Sequence, residues 1–354
     1  MIVNVDLKDR SYPIIIQRGL LDSLDEYLKG RIFVVTNTTV YKLYGQKLKK
    51  YATDFVVIPD GEKYKNLKTF EKIANKLLSL KIERKDTIVA LGGGVVGDIA
   101  GFVASSVLRG VNFIQIPTTL LAQVDSSVGG KVAVNTKYGK NLLGAFYQPK
   151  MVLIDPNTLK TLPNKEIKSG LGEVVKYAYI EKNASLNFDE NATLLEFLSS
   201  NSFDENIEHI IAKSVQIKAN VVSKDEKESG LRQILNLGHT FAHPIEKISN
   251  FKITHGEAVA VGLMFAFELS YKLNLINEED KKKALSLLEK FELGQKLGKK
   301  FSPNKMFELM KSDKKVQNAK INFVLPISTT EVTMKSDIDE LLVKEILLSF
   351  HSQD

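Results

Sequence analysis

Three of the five histidines in this chain lie close together, at His239, His243 and His255. Neutral imidazole is a common ligand of Zn²⁺ and similar ions, so a cluster of this rare residue suggests a metal site. The chain contains no cysteine, which excludes disulfides, thiolate nucleophiles and sulfur-based zinc sites. A metal site in this chain would therefore use histidine and carboxylate ligands.

A polar stripe runs through the segment that holds the first two histidines, LRQILNLGHTFAHPIEK. On one continuous helix its members would share a face, at spacings i, i+4, i+7 and i+11. They are Arg232, Asn236, His239 and His243. Because the helix is otherwise largely apolar, that face must meet water or line a site. Pro244 predicts a helix end or kink at His243, which could contact the substrate or support the metal ligands from outside.

Two further segments are predicted to complete the ligand set. His255 should begin the helix THGEAVAVGLMFAFE and meet His239 across a helix pair. Glu173 is the best third ligand, since it lies in the glycine-flanked apolar helix SGLGEVVKYA with Lys176 one turn further on. Two imidazoles and a carboxylate with open positions are typical of a catalytic Zn²⁺ site. Any one of these histidines alone would be better interpreted as an ordinary core or surface residue.

A glycine turn follows the predicted strand TIVAL. Gly92, Gly94 and Gly97 match GxGxxG between a strand and a helix, which predicts a dinucleotide pyrophosphate at the helix N-terminus; the alternative is a plain tight turn. The next strand, NFIQIP, ends without the acidic residue that usually holds the adenosine ribose. The segment DGEKYK, residues 60–65, could supply charged groups at the same sheet edge, or could be a charged turn with a helix-capping acid.

An anion pocket is predicted within QIPTTLLAQVDSSVGGKVAVNTKYGKNLLGAF. Its glycines allow close backbone approach, and its lysines can neutralise phosphate or carboxylate. Arg109 could add a bidentate clamp. The alternative is a glycine-rich loop that carries solvated lysines. Lys314 and Lys315 form a second basic point late in the chain.

The elements that must position these residues change in type along the chain. Short β-branched runs alternate with helical patterns in the first part, which indicates βα units around a parallel sheet. The predicted strands are RIFVVT, DFVVIP, TIVAL, NFIQIP and MVLID, with IVNVD and YPIIIQ as an edge pair. Long amphipathic helices follow, apart from the strand signal KINFVLPI. We therefore predict an α/β N-terminal domain with a Rossmann-like parallel sheet, residues 1–162, and a mainly α-helical C-terminal domain, residues 163–354.

Composition and charge indicate which kinds of molecule the protein could bind. The chain has 354 residues, 44% hydrophobic and 26% charged, which is ordinary globular composition. Its net charge of +7 suits a phosphorylated substrate or nucleic acid. The densest basic runs, 281–283 and 299–300, lie in Glu-interleaved sequence and predict a solvated surface rather than nucleic-acid binding. No apolar run is long enough for a membrane span and no signal peptide is evident, so we expect a cytoplasmic protein.

Seven motifs together resemble the 3-dehydroquinate synthases, members of the sugar phosphate cyclase family. In order they are GGGVVGD, PTTLLAQVDSSVGGK, GKNLLGAF, GLGEVVKYA, NLGHTFAH, HGEAVAVG and SDKK. The resemblance implies a homodimeric lyase with NAD and one Zn²⁺ or Co²⁺ per subunit. It further implies conversion of 3-deoxy-D-arabino-heptulosonate 7-phosphate to 3-dehydroquinate in the shikimate pathway of aromatic amino acid biosynthesis.

The resemblance also assigns residues. It implies the metal ligands Glu173, His239 and His255. It implies substrate contacts from Asp125, Lys131, Asn141, Lys176, Lys218, Arg232, Asn236 and His243, with Glu228 near the metal and Arg109 reaching a neighbouring subunit. The predicted NAD contacts combine the residues that the resemblance implies with those of the glycine turn. They are Asp60, Gly61, Glu62, Lys63, Tyr64, Lys65, Gly92, Gly93, Gly94, Val95, Val96, Gly97, Asp98, Thr118, Thr119, Lys131, Lys140, Thr158, Leu159, Lys160 and Thr161. Asn37 departs from the family, since many relatives have Asp there.

Three alternatives stay open on the sequence. The nearest is another sugar phosphate cyclase that makes an inosose or valiolone. The second is a metal-dependent polyol or glycerol phosphate dehydrogenase, which would accumulate NADH. The third is a non-catalytic nucleic-acid-binding protein, whose binding would depend steeply on salt.

Overall fold

The structure is a computed structural model that describes residues 1–184, 193–294, 297–298, 301–313 and 321–350. It divides the chain into two compact units. The first consists of Met1–Leu162 and Ile207–Lys227, and the second of Pro163–Asn206 and Glu228–Asp354. Among the described helices, none combines the length and the apolar content that a membrane span requires.

The first unit is built on strands. They are β1 (Ile2–Val5), β2 (Tyr12–Ile16), β3 (Ile32–Asn37), β4 (Asp54–Ile58), β5 (Thr87–Gly92), β6 (Asn112–Pro117), β7 (Lys131–Thr136), β8 (Gly139–Phe146) and β9 (Met151–Ile154). Its α-helices are α1 (Thr38–Leu48), α2 (Leu67–Ser79), α3 (Gly94–Ser106) and α6 (Ile207–Lys224).

The second unit is mainly helical. Its helices are α4 (Asn164–Ile180), α5 (Leu194–Ser200), α7 (His239–Ile248), α8 (His255–Lys272), α9 (Glu278–Lys290), α10 (Pro303–Asp313) and α11 (Glu340–Ser349). Two strands, β10 (Phe323–Pro326) and β11 (Val332–Lys335), pair antiparallel. The predicted fold class, a parallel-sheet α/β half followed by a helical half, is confirmed.

A seven-stranded sheet in the order β1-β2-β9-β6-β5-β3-β4 forms the core of the first unit. All neighbours are parallel except β1 and β2, which pair antiparallel as the predicted edge pair. The central strands are largely apolar because both faces of the sheet are covered, with Phe33 in one core cluster and Val34 in the other. The carboxyl ends of β4, β5, β6 and β9 consequently lie on one edge of the sheet.

Two features of the first unit differ from the sequence-based description. Within the segment predicted to form an anion pocket, Lys131–Thr136 and Gly139–Phe146 form the antiparallel hairpin β7–β8 instead of the glycine-rich loop that was the alternative. Helix α6 was expected in the second domain but lies in the first unit, where it packs on β1 and β2. The physical reason is that its buried face, which includes Val215 and Val222, covers this end of the sheet.

Candidate active site

Glu173, His239 and His255 come together in the second unit. They each offer a ligand atom, and these atoms all lie within 4.8 Å of one another. The Nε2 atoms of His255 and His239 lie 3.2 Å and 3.6 Å from Glu173 Oε1. Two imidazole nitrogens and one carboxylate oxygen are the donor set of catalytic zinc sites, so the chemistry of these residues fits a divalent metal.

Close helix contacts at glycine bring these three residues together. Gly172 precedes Glu173 on α4, and Gly256 follows His255 on α8. A Cβ on Gly172 would lie 2.2 Å from the Gly256 carbonyl oxygen, so the two helices meet backbone to backbone. Gly238, which precedes His239, makes a similar contact with α8. A Cβ on Gly262 of that helix would lie 2.1 Å from the Gly238 carbonyl oxygen. Each of the three predicted ligands is therefore next to a glycine at which two backbone segments approach closely.

Burial and charge give the two histidines opposite protonation. Burial lowers the pKa of His239 to about 3, which keeps its imidazole neutral. Burial also opposes the charged form of His255, but the neighbouring carboxylates of Glu173 and Glu246 raise its pKa to about 10. Lys176 Nζ contacts the other oxygen of the fully buried Glu173. The Glu173 carboxylate is thus held between the Lys176 ammonium and the two imidazoles.

The helix that carries the first two histidines differs from the prediction. Residues 231–236 form a 3₁₀ turn, and α7 begins only at His239 after Gly238 adopts a left-handed conformation with φ 78°. The four predicted stripe residues therefore do not share one helical face. Of the helix end or kink predicted at His243, the helix end is not found, since α7 continues through Pro244 to Ile248. The His243 ring nevertheless lies edge-on to His239, with 5.6 Å between centroids.

The glycine turn of the first unit has the predicted strand-turn-helix geometry. β5 ends at Gly92, Gly93 occupies the N-cap position and α3 begins at Gly94. A Cβ on Gly93 would lie 2.8 Å from Thr119 Cγ2, and one on Gly97 would lie 2.7 Å from Gln115 Oε1. The turn is therefore packed against β6 and the residues that follow it. Glycine is required here by close packing, as expected for a helix N-terminus that admits a phosphate.

The predicted dinucleotide segments share one sheet edge. Residues 60–65 follow β4, residues 93–98 follow β5, Thr118 and Thr119 follow β6, and residues 158–161 follow β9. In doubly wound α/β sheets this edge, at the carboxyl ends of the strands, is where nucleotides bind.

A buried lysine connects two of these segments. Lys65 is only 4% exposed, and its Nζ contacts Asp98 and donates to Asn141 Oδ1 at 2.6 Å. Burial raises the pKa of the Asp98 carboxyl, while the ammonium of Lys65 opposes that shift. Asp60 has a different role, because its Oδ1 accepts from the Thr39 amide in the first turn of α1. The helix-capping alternative for Asp60 is therefore realised in the structure.

Asn37 also caps α1. Its Oδ1 accepts from the Val40 amide at 2.9 Å. This local bond gives Asn37 a structural role at the start of the helix.

The predicted substrate residues divide between the two units. In the first unit, Lys218 Nζ donates to the Asp125 carbonyl oxygen at 2.7 Å and to its Oδ1 at 2.8 Å. Lys131 is exposed at the start of β7, and Arg109 is exposed with φ 65°.

In the second unit, Arg232 is 1% exposed, and Asn236 Nδ2 donates to Glu228 Oε1 at 3.0 Å. Lys314 and Lys315, the predicted second basic point, lie outside the described residues, as does the 299–300 run.

Two family models match consecutive stretches of the chain. The model for the 3-dehydroquinate synthase N-terminal region matches residues 55–169, and the model for the C-terminal region matches residues 170–316. The chain belongs to the 3-dehydroquinate synthase family. A 3-dehydroquinate synthase from Rippkaea orientalis is 41% identical over 360 residues, which cover 98% of each protein. The family predicted from the seven motifs is confirmed.

Two solved cyclases show the same fold as this 3-dehydroquinate synthase family member. A 2-deoxy-scyllo-inosose synthase complexed with carbaglucose-6-phosphate, NAD⁺ and Co²⁺ is 26% identical, with a TM-score of 0.85 over 98% of this chain and 99% of that one. ValA, the 2-epi-5-epi-valiolone synthase from Streptomyces hygroscopicus, was solved with NAD⁺ and Zn²⁺. It is 25% identical, with a TM-score of 0.86 over 98% of both chains.

Sequence reasoning missed two residues beside these sites. Glu246 Oε1 lies 3.6 Å from His255 Nδ1. Its spacing of i+7 from His239 on α7 was the available signal. Gln123 is fully buried, and its Nε2 donates to Thr158 Oγ1 at 2.9 Å and to the carbonyl oxygens of Pro117 and Asp155 at 3.3 Å. It therefore ties together the segments after β6 and β9, and no sequence pattern marked it.

Proposed function

We propose that the chain converts 3-deoxy-D-arabino-heptulosonate 7-phosphate to 3-dehydroquinate and phosphate, as a carbon–oxygen lyase with catalytic NAD and a divalent metal. The reaction comprises transient oxidation, phosphate elimination, reduction, ring opening and aldol closure. The observation that carries the proposal is the convergence of Glu173, His239 and His255 in a member of the 3-dehydroquinate synthase family. This is a catalytic type of metal site in the expected half of the chain.

The described residues fit both cofactors. Glu173, His239 and His255 would hold Zn²⁺ or Co²⁺, and the segments at the sheet edge of the first unit would hold NAD. When bound, the metal acidifies a substrate hydroxyl and NAD accepts and returns a hydride. The protein residues must then bind and orient the substrate and balance its charge.

Positive charge is the main contribution of the remaining residues. We assign Lys131 and Lys218 in the first unit, and Lys176 and Arg232 in the second, to anionic groups of the substrate. Ammonium and guanidinium groups outnumber candidate general bases, as expected where positioning and electrostatic stabilisation dominate. Asp125 fixes the Lys218 ammonium through two hydrogen bonds, which orients that charge.

The substrate carries a carboxylate, which separates this activity from that of cyclases whose sugar phosphate substrates have none. Lys218, Arg232 and Asn236 favour a carboxylate-bearing substrate because guanidinium and ammonium groups bind carboxylate strongly. This supports the heptulosonate phosphate over the substrates of inosose and valiolone synthases.

We further propose that the protein is a homodimer. Hairpin β7–β8 exposes four large apolar or aromatic side chains: Tyr138, Leu142, Leu143 and Phe146. An exposed apolar strand is usually covered by another chain. Arg109 is exposed and free to reach outward in such a dimer. The cytoplasmic location and the lack of a nucleic-acid partner stay predictions.

A phosphate-release assay tests the activity. Purified protein is incubated with the heptulosonate phosphate, NAD⁺ and Zn²⁺ while inorganic phosphate and absorbance at the NADH wavelength are followed. We expect stoichiometric phosphate release with no net NADH. Accumulating NADH would instead identify a dehydrogenase. Phosphate release only from a sugar phosphate that lacks a carboxylate would identify another cyclase.

A further inference from the structure

The His255 ring lies between two carboxylates. Its Nε2 is 3.2 Å from Glu173 Oε1, and its Nδ1 is 3.6 Å from Glu246 Oε1. Glu246 is 7% exposed, so its carboxylate is withdrawn from solvent. A buried carboxylate on the far ring nitrogen fixes which nitrogen carries the proton and how the ring is oriented. The arrangement is therefore that of a carboxylate supporting a metal ligand.

We propose that Glu246 is a positioning residue for the metal site: it accepts the Nδ1 proton of His255 and so leaves the Nε2 lone pair directed toward the metal. The proposal rests on the metal site of the proposed function. His239 has a different support, because its Nδ1 lies 3.1 Å from the Leu237 carbonyl oxygen. One histidine ligand is thus oriented by backbone and the other by a charged side chain, which makes the second more sensitive to substitution.

The Glu246 backbone positions His255 as well. Its carbonyl oxygen accepts from the Phe251 amide at 2.9 Å and from Ser249 Oγ at 2.9 Å. Asn250 and Phe251 both adopt left-handed conformations, with φ 51° and 58°. The chain turns back over the end of α7 in this way and enters α8 at His255. Both the turn and the side chain of Glu246 therefore act on the same ligand.

Position and packing argue against a merely structural carboxylate. Glu246 lies on α7 at i+7 from His239, on the face that also carries His243. A buried carboxylate on an apolar helix is costly unless it is paired, and His255 is a partner that the structure gives it. The helix therefore carries a metal ligand at one end of this face and the support for another ligand further along it.

Metal affinity of a graded series of variants tests the role. Glu246→Gln keeps an acceptor oxygen but loses the charge, and Glu246→Leu loses both with similar volume. Zinc dissociation constants are measured by chelator competition on the apo proteins, with thermal unfolding as the check on folding. Glu268→Gln is the control, since Glu268 is a partly exposed carboxylate on α8 that pairs with Lys281 at 3.0 Å.

We expect the dissociation constant to rise by about 10–100-fold in Glu246→Leu. Glu246→Gln should give a smaller rise, and Glu268→Gln should stay within about twofold of the unmodified protein, since loss of a surface pair is worth at most about 1 kcal/mol. If Glu246 had only a structural role, its variants would lower the unfolding temperature, but their zinc dissociation constants would not rise in this order. Zinc binding within twofold of the unmodified protein in both Glu246 variants would overturn the proposal.

A second measurement needs no variant and decides the case if Glu246→Leu fails to fold. Nitrogen-15 spectra of histidine in the zinc-loaded protein should show His255 with its proton on Nδ1 and the metal on Nε2. The reverse tautomer would overturn the role of Glu246. Failure of the unmodified protein to bind zinc would instead remove the metal site itself, and with it the proposed function.

Discussion

Gly172 and Gly256 are in backbone contact where α4 crosses α8, and each is adjacent to a predicted metal ligand. The contact is so close that a Cβ on Gly256 would lie 1.7 Å from the Ser169 carbonyl oxygen. The spacing between the Glu173 carboxylate and the His255 ring is therefore set by the absence of side chains at neighbouring positions.

Substitution of Gly256 should separate the two helices. We expect Gly256→Ala to lower the free energy of unfolding by at least about 1–3 kcal/mol, the usual cost of overpacking, and to weaken zinc binding more than tenfold. Chemical denaturation and chelator competition measure the two effects. Gly298→Ala is the control, because a Cβ there meets nothing within 4 Å. Equal behaviour of the two variants would contradict the packing argument.

Removal of one imidazole should abolish the metal site. His239→Ala leaves only two of the three donor groups, so we expect the protein to lose stoichiometric zinc and metal-dependent turnover together. Metal analysis after dialysis and the phosphate-release assay measure both. His209→Ala, at an exposed histidine of α6, should change neither. Unchanged activity with unchanged bound zinc in His239→Ala would remove His239 from the ligand set.

Loss of an exposed lysine should separate substrate binding from cofactor binding. Lys131→Ala removes a positive charge at the start of β7, so we expect weaker binding of the substrate or of phosphate, by roughly tenfold if the charge contacts the anion directly. NAD affinity should fall less. Calorimetry with each ligand measures the difference, and Lys137→Ala in the same hairpin is the matched control. Equal loss for both ligands would contradict the assignment.

The buried Tyr179 should make stability depend on alkaline pH. Burial raises the pKa of its hydroxyl, which donates to the Ala284 carbonyl oxygen at 2.6 Å. A raised folded-state pKa gives a contribution that is complete below the unfolded value of about 10 and is lost as pH rises above it.

Tyr179→Phe measures that contribution. It should cost about 1–3 kcal/mol of unfolding free energy at neutral pH, because Ala284 loses its donor, and the cost should shrink above about pH 10. Denaturant titrations at several pH values measure it. Tyr138→Phe is the control, because Tyr138 is 81% exposed. A cost that stays constant up to pH 11 would contradict the burial argument.

The sheet of the first unit was predictable because its signal is local. Runs such as RIFVVT and TIVAL are buried on both faces, so nearly every residue is apolar and β-branched residues dominate. Hairpin β7–β8 escaped detection because its strands carry glycine, lysine and asparagine, and half of it faces solvent. These glycine and polar residues obscure the alternation that would otherwise indicate a strand.

The site was predictable in composition but not in construction. The histidine cluster predicted His239 and His255, and the glycine-flanked helix predicted Glu173, and the structure brings these three residues together. The continuous helix predicted from Arg232 to His243 is wrong, because Gly238 adopts a left-handed conformation just before His239. A left-handed glycine cannot be distinguished by spacing from an ordinary helical one. The support from Glu246 depends on a turn of left-handed residues between α7 and α8, which is a tertiary property of that segment.

The assignment of α6 to the first unit has a consequence for how the protein can be made. The chain completes Met1–Leu162, builds α4 and α5, and only then returns to supply Ile207–Lys227. During synthesis the surface of β1 and β2 that α6 covers therefore stays exposed until residue 227 has been made. A recombinant fragment that stops at Leu162 would keep that face bare and should aggregate, so neither unit can be obtained by a single cut.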